Sequence, residues 1–350
     1  MSTSYIVKML HDADKHSIPL EMSIDLTHHC NFRCQHCYIP DFSAPDLLST
    51  EKVCSLLEEL SEMGTLFLTL TGGEMFLRKD WYQIASHARD LGFRLRLFSN
   101  GSTITAAIAD QIVALHAACE VSLYSMDEEI FERITQHKGS FKKTIRGIEM
   151  LRERDIEVLL KIPMMTFNAR GFEKVFDYGK AIGADVRADP RIVAKKDGDL
   201  VTLSLNANTE DLLPYYRSGH TPCSVNEGAV NDPRFDGPLC AAGNRYANIS
   251  SSGEVRACNS MPVVAGNVRE QSFREIWETS DWLKQVRSIR RKDLDTCNTC
   301  SKIAYCGRCH AQALVEDGNM MGPSSSACSY AETVERIQIE MPIEVNDASA

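Results

Sequence analysis

Residues 21–38 read EMSIDLTHHCNFRCQHCY. The first six, EMSIDL, alternate apolar and polar side chains as a half-buried strand does. The cysteines follow at once as C-x3-C-x2-C, at Cys30, Cys34 and Cys37, so they fall on a loop at the carboxyl end of that strand. Three thiolates this close can share one iron–sulfur cluster, but they leave one of four irons without a protein ligand. An open iron is a place where a small molecule with adjacent amino and carboxylate groups can chelate. The other reading is a zinc knuckle, for which His28, His29 or His36 would have to supply the fourth ligand.

Outward from this loop, short β-rich runs alternate with helical patterns, the rhythm of βα units around a parallel sheet. Strands are expected near 21–26, 66–71, 93–98, 119–124, 157–163 and 184–188. Segments 50–63 and 104–117 carry apolar residues at three- and four-residue spacing, as amphipathic crossover helices do. Six such units form either a partial barrel or an open doubly wound sheet, and periodicity does not choose between them. Both put ligands at the carboxyl ends of the strands. From about 215 the texture turns to Pro, Gly, Asn and Ser punctuation with cysteines. The expected organisation is a lead segment over 1–20, an α/β domain over 21–215, a cysteine-rich domain over 216–335 and a tail over 336–350.

The 350 residues are 43% hydrophobic and 25% charged, with a net charge of -10. That balance argues against a nucleic-acid partner, which needs clustered Lys and Arg. The first twenty residues form neither a signal sequence nor a membrane span, so a cytoplasmic protein that does not engage a membrane is expected. Thiols are kept reduced there, and thirteen cysteines then read as metal ligands rather than disulfides. Eight of them lie beyond residue 220. Cys54 and Cys119 stand apart and read as small buried hydrophobes.

The C-x3-C-x2-C loop, with His36 in the place of an aromatic residue, resembles that of the radical S-adenosylmethionine (SAM) superfamily. The resemblance recurs in order along the chain. Thr71-Gly72-Gly73-Glu74 is similar to the family's GGE motif, and Ser99-Asn100-Gly101 to its turn near the ribose. Ser122 in VSLYS matches a serine on the next strand. The family's fold is a partial (β/α)6 TIM barrel. By resemblance, Cys30, Cys34 and Cys37 hold a [4Fe–4S] cluster that binds SAM. Its contacts would come from His36, Tyr38, Gly72, Gly73, Glu74, Ser99, Asn100, Ser122, Lys161 and Asn168. For Lys161 and Asn168, ordinary solvation or a cap is an equal reading. Many relatives have an arginine where this chain has Thr135, which leaves the partner of the SAM carboxylate unassigned.

The C-terminal cysteines run Cys240, Gly253, Cys258, then Cys297-x2-Cys300-x5-Cys306-x2-Cys309 and Cys328. This order resembles the SPASM extension of radical SAM enzymes, which holds two auxiliary [4Fe–4S] clusters, although the family usually has three residues before the cysteine matching Cys309. The resemblance implies Cys240, Cys258 and Cys309 for the first auxiliary cluster and Cys297, Cys300, Cys306 and Cys328 for the second. Cys223 is the expected fourth ligand of the first, the rival being an open iron. Two structural zinc sites are the alternative for the whole constellation.

What the resemblance implies is reductive cleavage of SAM to a 5′-deoxyadenosyl radical that removes hydrogen from a substrate. The expected substrate is a ribosomally made peptide or protein that becomes crosslinked or oxidised, as in the pyrroloquinoline-quinone-cyclase type of maturase. A separate leader-binding protein, and an electron donor such as flavodoxin or ferredoxin, would be its partners. A haem precursor is the runner-up substrate. Sulfatase maturation ranks lower, because Asn259 stands where that branch carries an aspartate. An electron carrier without radical chemistry ranks last, since it would need no SAM site. No residue is assigned as the catalytic acid or base.

Overall fold

The computed structural model describes residues 5–220 and 238–340. Its first six strands are β1 (Glu21–Thr27), β2 (Phe67–Gly72), β3 (Arg94–Ser99), β4 (Ala118–Ser122), β5 (Val158–Pro163) and β6 (Asp185–Asp189). Each lies within two residues of its expected span. All six are parallel, and each pairs with the next in sequence. A doubly wound sheet reverses strand order at its midpoint, and this one does not. With right-handed crossovers every helix then falls on one face, the arrangement of a barrel left open. That settles the choice periodicity could not make in favour of the partial barrel.

The strands show why the two faces differ. On β1, Met22, Ile24 and Leu26 are buried against the helices, whereas Ser23, Asp25 and Thr27 point to the other face and are buried there as well. On β4 and β5 the helix-facing residues are Cys119, Val121, Val158, Leu160 and Ile162, and the residues between them include Glu120, Ser122 and Lys161. The outer layer is α2 (Thr50–Glu62), α3 (Trp81–Asp90), α4 (Ala106–Leu115), α5 (Glu128–Thr135), α6 (Ser140–Arg152) and α7 (Phe172–Ile182). The starts of α2, α4 and α5 are fixed by side-chain caps: Ser49, Thr105 and Asp127 accept from the third backbone N–H beyond them.

Two features were not expected. The lead segment carries α1 (Tyr5–His16), held to the C-terminal half where Arg245 meets Asp14 at 2.7 Å and the Trp277 indole donates to the Ser17 carbonyl at 2.6 Å. The sheet also continues beyond β1. After α8 (Thr209–Arg217), β7 (Tyr246–Ile249) pairs parallel with β1, and β8 (Glu254–Arg256) and β9 (Gly266–Asn267) follow antiparallel. The texture change near 215 thus precedes three strands that extend the same sheet. Beyond them lie α9 (Phe273–Thr279), α10 (Asp281–Ser288), a run of short 3-10 turns, α11 (His310–Asp317) and α12 (Ser325–Glu340).

Candidate active site

The loop after β1 is clamped from two sides by backbone hydrogen bonds. Gly73 N–H donates to the Thr27 carbonyl at 2.8 Å and Glu74 N–H to that of His29 at 2.9 Å, while Arg33 and Gln35 donate to the last carbonyls of α5 at 3.0 Å. Glycine is required at the first clamp. A Cβ on Gly72 would sit 2.2 Å from the Thr27 oxygen, at a φ of +136°, and one on Gly73 2.4 Å from that of His29. Cys30, Cys34 and Cys37 are thereby held around one end of the sheet. Cys30 Sγ accepts from Phe32 N–H at 3.4 Å, and Cys34 Sγ lies 3.6 Å from the Tyr124 hydroxyl. Burial pushes the Cys30 thiol up to about 11 and raises Cys34 and Cys37 too; Cys37 raises Cys30 and Cys34 further, while Lys196, Arg33 and Lys195 pull Cys37 partly back. Such thiols stay protonated unless a cation compensates them, which is the condition metal ligation meets.

A cavity of about 480 Å³ opens beside these thiols. Its wall includes His36, Tyr38, Gly72, Gly73, Ser99, Asn100, Ser122 and Lys161. His36 packs edge-on to Tyr124, with ring centroids 5.0 Å apart; its Nδ1 is buried with no hydrogen-bond partner, and burial pulls the imidazole down to about 4. Lys161 pairs with buried Glu120 at 2.9 Å and stands over the Phe98 ring. The donors, the unpartnered Nδ1 and the facing thiols fit a polar cofactor held against a cluster.

Two of the expected contacts lie behind that wall. Glu74 is fully buried, and its carboxylate accepts from Ser99 Oγ at 2.9 and 3.1 Å and from Asn100 N–H at 2.8 Å. It ties the end of β2 to the end of β3, and burial raises its pKa despite these donors. Asn168 donates to the Tyr124 and Pro163 carbonyls and accepts from Met165 N–H, so both ends of its amide brace the ends of β4 and β5. Thr135, in the place of the family's arginine, is buried and bonds to Ser140 at 2.7 Å.

The C-terminal cysteines fall into two groups. The thiols of Cys240 and Cys258 are raised first by desolvation and then by the neighbouring Cys309, and Cys258 by Cys240 as well, which places the three in one group. Cys297, Cys300, Cys306 and Cys328 form the second group, in which Cys306 is raised by burial and then by the neighbouring thiols, and Cys328, though exposed, by partial desolvation of its thiol and then by Cys297 and Cys300. These are the sets the spacing resemblance implied; Cys223 lies outside the described residues. Among the described residues no three His, Cys, Asp or Glu side chains meet at distances that ligate one metal ion.

Comparison with known proteins agrees with this geometry. The profile of the Radical SAM superfamily matches residues 24–179, and that of an iron-sulfur cluster-binding domain, SPASM, matches residues 240–301. The chain belongs to the radical SAM superfamily. This radical SAM enzyme is 26% identical over 330 residues to an AdoMet-dependent heme synthase of Methanosarcina barkeri, covering 87% of this chain and 94% of that one. It is also 26% identical over 328 residues to a PqqA peptide cyclase of Xanthomonas euvesicatoria, covering 87% of each. Its fold is shared with Streptococcus suis SuiB bound to the precursor peptide SuiA, at a TM-score of 0.72 and 16% identity over 92% of this chain and 79% of that one. Among the described residues no helix is long and apolar enough to cross a membrane.

Some residues at the site of this radical SAM enzyme carried no motif. Lys196 is buried and bonds to Asp25 on β1 at 2.5 Å. Asn248 on β7 donates to the other Asp25 oxygen at 3.2 Å. The Lys196 backbone donates to the Tyr38 carbonyl at 2.9 Å, so this pair braces the cysteine loop from beneath. Only the inward register of Asp25 hinted at it. Tyr124 was findable, since it shares a face with Ser122 two residues before it.

Proposed function

We propose that this radical SAM enzyme oxidises or crosslinks a ribosomally made peptide, with SAM held on the cluster of Cys30, Cys34 and Cys37 and two further [4Fe–4S] clusters in the C-terminal part. One observation carries the reading. The cavity wall is shared by the cysteine loop and by Asn259 and Ser260, the two residues that follow Cys258. A substrate in that cavity is reached from the SAM side and borders a ligand of the first auxiliary cluster, so an electron leaving it has a short path. When bound, SAM on its cluster supplies a hydrogen-abstracting radical. The chain's own residues exclude water, orient the substrate and carry the electron away.

The wall carries both signs of charge, with Lys161, Arg187 and Arg191 set among Glu120 and Asp189. Mixed charge suits a polypeptide with polar backbone and varied side chains, and the peptide-cyclase relatives support the same class. The heme-synthase relatives favour a second reading, a porphyrin precursor whose carboxylates would meet the three cations. Those carboxylates would also face Glu120 and Asp189, which is why it ranks second.

The test is turnover under anaerobic reduction with flavodoxin or ferredoxin as donor. The enzyme should form 5′-deoxyadenosine slowly by itself and faster with a cognate precursor peptide and its leader-binding protein. The peptide mass should fall by a small number of hydrogens or by a lost fragment. Turnover of a porphyrin precursor with no change in any such peptide would replace the first reading with the second.

A further inference from the structure

His310 follows Cys309 directly and opens α11, for which Cys309 is the N-cap. Its side chain is buried, at 4% exposure, and its Nε2 lies 3.9 Å from Cys240 Sγ. The residue next to one thiol of the Cys240, Cys258 and Cys309 group thus contacts a second thiol of that group. Nothing in the cysteine spacing requires a histidine here.

We propose that His310 donates a hydrogen bond from Nε2 to the Cys240 thiolate and thereby raises the reduction potential of the cluster held by Cys240, Cys258 and Cys309. The inference rests on the reading that these cysteines hold a cluster. Geometry separates a donor role from a ligand role. A ligand on the fourth iron would occupy a different corner of the cube from Cys240, turned away from its sulfur, whereas Nε2 faces that sulfur at N–H···S range. A hydrogen bond to a ligating sulfur draws electron density from it and stabilises the reduced cluster. The cluster beside the substrate cavity then becomes the better electron acceptor, as an oxidation of substrate requires.

The experiment compares wild type, His310→Leu and His310→Gln, all full length and anaerobically reconstituted. Iron per chain is measured together with a potentiometric titration followed by electron paramagnetic resonance, the relevant signal being the one that Cys258→Ala removes. His310→Leu should keep its iron and shift that midpoint to a more negative potential. His310→Gln, whose amide N–H can take the Nε2 place, should stay close to wild type. An unmoved midpoint in His310→Leu at full iron, or an equal shift in both variants, would overturn the inference alone. Loss of about a third of the iron in His310→Leu would make the histidine a ligand and overturn the donor role. A wild-type protein with no signal sensitive to Cys258→Ala would overturn the ligation reading itself.

Discussion

The two cysteine regions are built in opposite ways. Cys30, Cys34 and Cys37 sit on a loop stitched to β1, β2 and α5 by backbone hydrogen bonds and braced by the buried Asp25–Lys196 pair. Of the second C-terminal group, Cys297, Cys300 and Cys306 lie on or directly after the three-residue 3-10 turns Cys297–Thr299 and Ile303–Tyr305, and Cys328 sits in the first turn of α12. The backbone N–H groups of Cys300 and Cys306 reach back only three residues, to Cys297 and Ile303, and Cys300 and Cys328 are exposed. A loop held by a sheet keeps its shape without metal. A segment of short turns around converging thiols takes much of its stability from what the thiols bind.

The largest expected effect breaks the first region chemically without unfolding it. Changing Cys30, Cys34 and Cys37 together to Ala should abolish SAM cleavage and remove about a third of the iron, while circular dichroism keeps the α/β signature. Chelating all iron should separate the regions by stability. Hydrogen exchange in 297–328 should rise sharply, while β1 to β5 stay protected; equal exposure of both would erase the contrast.

Smaller effects test the braces of the first region. Lys196→Met leaves the Asp25 carboxylate buried and unpaired, and should cost about 3–5 kcal/mol in denaturant unfolding. Glu74→Ala strips the acceptor from Ser99 and Asn100 and should cost about 1–3 kcal/mol. It should also weaken SAM binding by misplacing the Ser99–Asn100 turn, with cluster content intact. Unchanged SAM affinity would show that this turn holds without the carboxylate.

Much of this was legible in the sequence because strand alternation, helix spacing and cysteine spacing are local signals. The six parallel strands and the cysteine loop follow from them directly. The pairing of β7 with β1 did not, because a four-residue strand two hundred residues away carries no local mark of its partner. Nor did Lys196, which reaches Asp25 only once the loop after β6 folds over the barrel. Glu74 and Asn168 were legible as site residues, but their place behind the cavity wall is a matter of tertiary hydrogen bonding that a motif does not specify.

The central claim is that three groups of thiols each carry a four-iron cluster. Iron and sulfide analysis of the anaerobically reconstituted, desalted full-length protein tests it most directly. The account predicts about twelve irons and about twelve sulfides per chain, with negligible zinc. About four irons together with roughly two tightly bound zinc ions would contradict it, leaving the SAM cluster in the barrel and a structural zinc domain behind it.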